Sequence, residues 1–337
     1  MIIVENNKNY LDEIKNIAVI NNRLFQVEID VTYKCNAKCF FCYQGENHVA
    51  NDEISTSRLK ELLHELKKLG TYYIGFSGGE PFARSDFLDI LRYAKQLGFR
   101  VSVISNGHLL NRNVILNLAS IGIERLTYSF HSTDKMNYDF HFGLNNDTLF
   151  YNRAIDNIKF SIESGISVGI ATTVTKYNID DIPTLLEYFI DLGLSKKDIN
   201  LNLLLEGNQS IDDYRPSQEQ LERNSQYFLE KELRTEFFCS AGRITCSIDS
   251  KGNVYPCTFF NTPAGNINQT KIKDIWENSH YLKIIRSLNI NNFVKCVNCE
   301  VRNTCNPCLV SNLNETGSIF KPSESFCLAQ KHKIGGL

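Results

Sequence analysis

Several things are missing or scarce in this 337-residue chain. No apolar run approaches the ~18–20 residues that a membrane-crossing helix needs, which excludes a helical span. Neither sign of charge dominates: 36 Lys and Arg face 38 Asp and Glu, a formal net charge of −2. That balance offers no electrostatic footprint for nucleic acid or an anionic membrane. The first residues, Met1-Ile2-Ile3-Val4-Glu5-Asn6-Asn7-Lys8, lack a basic stretch followed by an apolar run. No secretory signal is read there, and a cytoplasmic location is expected. There is no low-complexity tract. Finally, residues 43–238 contain no cysteine at all.

What is there is the counterpart of that last absence. All 11 cysteines lie in two dense regions: Cys35, Cys39 and Cys42, then Cys239, Cys246, Cys257, Cys296, Cys299, Cys305, Cys308 and Cys327. A reducing compartment favours metal ligands over disulfides for such sets. At about 150 residues per domain, the length suggests roughly two domains.

Between the cysteines the chain alternates strands and helices. Gln26–Val31 alternates apolar and polar residues like a strand. Leu59, Leu62, Leu63 and Leu66 share one face of a helix over Ser55–Leu69, with Ser55 or Ser57 as cap and Gly70 as stop. Further strands follow at Tyr72–Ser77, Arg100–Ser105, Leu126–Phe130, Ser167–Val174 and Ile199–Leu205. Helices fall at Asp86–Leu97 (capped by Ser85), Asn111–Ser120, Phe150–Ser164 and Asp180–Leu192. Such βα units build a parallel sheet, either open and doubly wound or an incomplete barrel. Both forms bind ligands at the C-terminal ends of the strands. The first cysteine cluster, Gly78-Gly79-Glu80-Pro81 and Ser105-Asn106-Gly107 all fall there. Residues 1–24 read as an N-terminal segment and 206–238 as a polar connector with a helix at Ser217–Leu233. Residues 239–337 look helical only at Ile272–Trp276 and His280–Leu288. They are expected to bury little apolar surface and to need metal.

Cys35, Cys39 and Cys42 form C-x3-C-x2-C on the loop after the first strand. Three such thiolates can each bind one iron of a cubane and leave the fourth iron without a protein ligand. A small molecule can chelate at that Lewis-acid position. A closed zinc site is the alternative. It needs a fourth ligand, for which His48 is the nearest histidine.

With Phe41 before the third cysteine and Gly78-Gly79-Glu80-Pro81 after the second strand, residues 24–205 resemble the radical S-adenosylmethionine (SAM) superfamily. The resemblance implies an α/β fold, a partial (β/α)6 TIM-like barrel, over residues 25–205. It implies a 4Fe–4S cluster on Cys35, Cys39 and Cys42 that holds SAM by its amino and carboxylate groups. Reductive cleavage would release a 5′-deoxyadenosyl radical that takes a hydrogen atom from substrate. Phe41 would flank the adenine, while Gly78 and Gly79, with Glu80 of the same motif, would admit the methionine end. Ser105 and Asn106 would meet the ribose, and Ser129 the methionyl group. Ordinary strand-end turn chemistry is the alternative for those three; for His131 it is the first reading, ahead of a substrate or cofactor contact.

The C-terminal eight resemble the SPASM extension of these enzymes. Cys239-x12-Gly252-x4-Cys257 and the run Cys296, Cys299, Cys305 carry the match, with Cys308 one residue closer than usual. Two auxiliary 4Fe–4S clusters are implied, three in all. One would use Cys239, Cys246, Cys257 and Cys308, the other Cys296, Cys299, Cys305 and Cys327. Cys246 is the weakest ligand. If it does not bind, the first auxiliary cluster has an open iron, or Cys246 donates a hydrogen atom. A pair of structural zincs is the bland alternative for the eight, and Tyr255 reads as core packing before electron relay.

Enzymes of this extended family commonly modify peptides. The leading expectation is therefore radical chemistry on a ribosomally made precursor peptide: crosslinking, epimerisation or oxidation. Formylglycine formation is disfavoured, because Thr258 stands where that group has a carboxylate. With 34 residues before Cys35, a leader would be read by a discrete leader-binding protein or by the enzyme surface. A flavodoxin- or ferredoxin-type reductant is expected, and neither nucleic acid nor a membrane as partner. The second expectation is dehydrogenation of a small molecule such as a sugar, aminocyclitol or amino-acid derivative. The third is a non-enzymatic metal-binding module.

Overall fold

The structure is a computed structural model. It describes residues 7–45, 52–144, 148–204, 212–228, 239–302, 305–324, 326–327 and 330. His48, residue 205 and much of the expected connector, including the end of its helix, lie outside the described residues.

Strand alternation organises everything. In Gln26–Asp30 (β1), Val27 and Ile29 have no exposed surface and pack toward the helices. Gln26, Glu28 and Asp30 point to the opposite face. Tyr73–Ser77 (β2), Arg100–Ser105 (β3), Arg125–Ser129 (β4), Val168–Val174 (β5) and Ile199–Leu203 (β6) follow in parallel register, each beside the last. These are the six expected strands, within one or two residues at each end. The sheet then continues on the far side of β1 with Thr245–Ile248 (β7), Asn253–Tyr255 (β8) and Gly265–Asn266 (β9). β7 runs parallel to β1, with Gln26 opposite Thr245 and Ile29 opposite Ile248. β8 and β9 are antiparallel. The nine strands, in the order β6-β5-β4-β3-β2-β1-β7-β8-β9, do not close on themselves.

The helices are Asn7–Ile20 (α1), Thr56–Lys68 (α2), Phe87–Gln96 (α3), Arg112–Ile121 (α4), Lys135–Phe142 (α5), Thr148–Glu163 (α6) and Ile182–Asp191 (α7). Gln218–Arg223 (α8), Ile272–Asn278 (α9), His280–Ser287 (α10), Val294–Val297 (α11) and Leu309–Thr316 (α12) complete the described set. Ser55 caps α2, its side chain accepting from the Arg58 amide at 3.2 Å, and Asn111 caps α4 in the same way. Ser85 does not cap α3. Asp86 takes the cap position without a side-chain bond and holds Arg84 instead, at 2.8 Å.

The C-terminal region is not coreless, which corrects the expectation above. Ile248, Val254, Ile267, Ile272, Ile275, Trp276 and Leu282 join the apolar core of the parallel sheet. A second cluster forms around Phe260, Ile285, Leu288, Phe293, Leu309 and Val310. Apolar burial through β7–β9 and α9–α10 therefore ties the extension to the sheet.

Candidate active site

The cysteine loop leaves β1 at Val31 and is held from three directions. Gly79 N–H donates to the Thr32 carbonyl and Glu80 N–H to the Lys34 carbonyl, both at 2.8 Å. A Cβ on Gly78 or Gly79 would collide with those same carbonyls. The two glycines are thus required by the cysteine loop itself, and Gly78, at φ 138°, also needs glycine's freedom. From the third side, Lys38 N–H donates to the Phe142 carbonyl at 2.8 Å. That contact comes from the end of α5, whose first turn is capped by Asp134 and whose last residue is followed by Gly143 at φ 60°.

At the C-terminal ends of the strands these loops enclose a cavity of about 350 Å³. Cys35, Cys39, Cys42, Phe41, Gly78, Gly79, Ser105, Asn106 and Ser129 all line it. Of the expected SAM contacts, only Glu80 does not. It lies beneath the wall with no exposed surface, accepting from Ser105 Oγ at 2.9 Å, Asn106 N at 2.8 Å and Phe82 N at 3.2 Å. Burial pushes its carboxyl up to about 7. Ser105 and Asn106 spend much of their polarity on this network: Gly107 N–H donates to Ser105 Oγ and His108 N–H to Asn106 Oδ1, each at 2.9 Å. Turn chemistry is therefore real at both positions. Ser129 makes no side-chain hydrogen bond among the described residues, so its hydroxyl is available to a ligand.

The three cysteines are half-buried in the cavity wall. Desolvation pushes Cys35 up to about 11 and Cys39 and Cys42 upward as well; Glu80 and Cys42 add to the rise at Cys35, the other two thiols at Cys39 and Asp30 at Cys42. Thiolates in such a place need a positive partner, which is what a bound metal supplies. Among the described residues, no three His, Cys, Asp or Glu side chains converge on a single-ion position. The three thiols line the cavity.

Sequence reasoning missed two acidic lining residues and took a third lining residue, His131, for strand-end chemistry first. Glu28 and Asp30 come from the polar face of β1. His131 is buried against Phe41, their rings 5.0 Å apart, and accepts from Thr173 N–H through Nδ1 at 3.1 Å. Burial holds its imidazole neutral, so Nε2 carries the proton. The polar alternation of β1 was a readable signal for the carboxylates.

The C-terminal cysteines separate into groups. Cys296, Cys299, Cys305 and Cys327 line one cavity of about 500 Å³. Cys239, Cys257 and Cys308 pack around the second apolar cluster, which Cys296 also touches, and Cys239 and Cys308 each raise Cys257, which burial already pushes to about 12. Cys246 belongs to neither group. It sits in β7 opposite Val27 and shares that residue's helix-facing side, 1% exposed in the core of the parallel sheet. Its charged neighbours are Arg286 and Glu28 and include no thiol. None of the 11 cysteines is in a disulfide, and no described helix is long and apolar enough to cross a membrane.

Comparison with known proteins agrees with this geometry. Residues 29–189 match the model of the radical SAM superfamily, and residues 239–309 match that of an iron–sulfur cluster-binding domain, SPASM. An AdoMet-dependent heme synthase of Methanosarcina barkeri is 24% identical over 340 residues, 90% of this chain and 96% of that one. Mycofactocin maturase MftC of Mycolicibacterium smegmatis is 26% identical over 76% of this chain and 71% of its own. SuiB of Streptococcus suis bound to S-adenosylmethionine shares the fold, with TM-score 0.74 at 18% identity, over 97% of this chain and 84% of that one. The chain is therefore a member of the radical SAM superfamily that carries a C-terminal SPASM domain.

Proposed function

We propose that this enzyme uses Cys35, Cys39 and Cys42 to hold a 4Fe–4S cluster that binds SAM, and that it removes hydrogen from a peptide substrate to crosslink, epimerise or oxidise it. When bound, the cluster and SAM supply a one-electron cleavage that yields a carbon radical able to take a hydrogen atom. The rest falls to the chain's own residues. Phe41 and His131 wall the cavity on one side and exclude water. Ser129 offers a hydroxyl, while Glu80 fixes the Ser105–Asn106 turn without touching the ligand. Gly78 and Gly79 let the cysteine loop close.

We assign residues 25–205 to the radical core and 239–337 to the extension. The second auxiliary cluster is assigned to Cys296, Cys299, Cys305 and Cys327, the first to Cys239, Cys257 and Cys308 without Cys246. The single observation that carries the reading is the convergence of the cysteine trio with Phe41, Gly78, Gly79, Asn106 and Ser129 on one cavity.

The peptide preference rests on charge. The relatives named heme synthases match 86–90% of the chain, yet a heme carries carboxylates. This cavity presents Glu28 and Asp30 and, among its lining residues, no Lys or Arg. An anionic tetrapyrrole would meet repulsion there, whereas the relative named a mycofactocin maturase and the solved complex of SuiB with its precursor peptide SuiA point to peptide work. Anaerobically reconstituted protein is expected to hold about twelve irons and, with dithionite, to turn SAM into 5′-deoxyadenosine. Zinc alone, or no 5′-deoxyadenosine, would end the proposal. Mass spectrometry of a precursor peptide encoded beside the gene then separates loss of two hydrogens from an isobaric epimer.

A further inference from the structure

Beside the main cavity lies a smaller chamber of about 110 Å³, which shares Asp30, Tyr43, Thr258 and Phe259 with it. No cysteine lines this chamber. Its volume equals about three to four waters, the bulk of a side-chain head group rather than of a stretch of chain.

The chamber's chemistry is one-sided. Asp30 ends β1, and Asp249 stands one step beyond the Ile29–Ile248 pair on the neighbouring parallel strand, so two carboxylates lie side by side. Asp249 is well satisfied: it accepts from the Lys251 and Asn253 amides at 2.9 and 2.8 Å and from the Tyr255 hydroxyl at 3.2 Å. Asp30 is held only by long bonds, from the Tyr43 hydroxyl at 3.2 Å and Gln44 Nε2 at 3.3 Å. Those contacts spend the donors nearest to it.

What remains unmatched is an amide oxygen, which only accepts, and a hydroxyl, which can accept. Gln44 Oε1 and Ser247 Oγ are buried with no partner, in residues 4% and 6% exposed that both line the chamber. No Lys, Arg or His pairs with Glu28, Asp30 or Asp249 among the described residues. Desolvation, with Asp249 and Glu28 nearby, pushes Asp30 up to about 7, as befits a carboxyl without a counter-charge. The walls are the rings of Tyr33, Tyr43, Tyr255 and Phe259. Buried unpaired acceptors cost stability unless a ligand supplies donors. An ammonium or guanidinium brings several donors and a charge that aromatic faces also attract.

We propose that this chamber is a subsite for a cationic side chain of the substrate, whose head group binds Asp30, Gln44 Oε1 and Ser247 Oγ while the rest of the substrate reaches into the main cavity. This rests on the peptide reading above and narrows it to a peptide with a Lys- or Arg-like group next to the modified residue.

The test uses the reconstituted holoenzyme and calorimetric titration with n-butylammonium and n-butylguanidinium, with 1-pentanol as neutral match. At least one cation should bind about tenfold or more tightly than the alcohol, and Asp30→Asn should remove that preference. Ser247→Ala, which leaves the carboxylate in place, should weaken it several-fold and serves if Asp30→Asn does not fold by circular dichroism. Equal binding of cations and alcohol, no cation binding at millimolar concentration, or preference retained in both variants would overturn the inference. SAM cleavage by the wild type is measured apart: its failure counts against the radical reading, while failure of cation preference counts against the chamber alone.

Discussion

The two thiol-rich regions build their sites in opposite ways. Cys35, Cys39 and Cys42 sit on one eight-residue loop, and the fold's task is to brace that loop, through Gly78, Gly79 and the end of α5. The C-terminal cysteines come from β7, the turns after β8, α11 and the segments around α12, and only the fold decides which of them meet. Local spacing therefore identifies the first site almost unaided. At the second it is a weaker guide, because a cysteine near others in sequence can point away from them in space. Cys246 is that case.

The sharpest way to break this comparison is to remove one ligand on each side. Cys39→Ala is expected to reduce 5′-deoxyadenosine formation to background and to cost about four irons, read by chromatography and iron assay. Cys327→Ala should cost a similar amount of iron yet leave SAM cleavage with dithionite in place. If the second variant is as dead as the first, the regions are not separable.

The barrel side also holds the buried imidazoles, a difference that pH exposes. Burial lowers His108 to about 4 and lowers His131 and His141 too, whereas the carboxyls of Glu80 and Asp30 are raised to about 7. These act with opposite sign. A histidine lowered in the folded state leaves stability intact above about 6.5 and loses it as pH falls toward 4. A raised carboxyl loses stability as pH rises through 7. Total stability mixes both, so the useful quantity is the difference between wild type and His108→Gln. That difference should fall by about 3 kcal/mol between pH 6.5 and 4, followed by urea unfolding. A flat difference would mean that His108 is not held neutral.

A smaller effect probes the brace. Gly79→Ala places a methyl against the Lys34 carbonyl, at a cost of about 1–3 kcal/mol. It should weaken SAM binding while leaving iron bound by the extension unchanged. Normal SAM binding in this variant would show that the loop does not depend on the glycine.

How far the sequence could be read follows from the same contrast. β1 to β6 and their helices were legible because each element carries its own period and stop signal, as Leu59 to Leu66 and Gly70 do. α1 lay in a segment read only as N-terminal, and α5 was missed because its residues are buried on more than one side (Tyr138, Asp139, His141 and Phe142). The cap and stop at Asp134 and Gly143 were the only local clues. β7 is hidden in the sequence because Cys246 reads as a ligand before it reads as a strand residue. Cys246-Ser247-Ile248-Asp249 alternates apolar and polar just as Val27-Glu28-Ile29-Asp30 does, which is the pattern of two paired strands. The acidic chamber was invisible until that pairing set Asp30 beside Asp249.

Cys246 gives the finest test of the comparison, since the two readings of it differ in kind while the expected energy is small. If β7 lies beside β1 as described, the thiol fills a core position facing the helices with Val27, and burial pushes it far above the usual thiol range. On that reading the group holds no iron and reaches no substrate. Cys246→Ala then loses about 1 kcal/mol of packing, keeps the wild-type iron content and cleaves SAM at the wild-type rate, while Cys257→Ala sheds iron. A ligand or hydrogen donor would behave otherwise: iron or product yield would drop with Cys246→Ala at unchanged stability. Urea unfolding and iron assay on the two variants decide between a core residue and a site residue, because neither measurement can move for the other's reason.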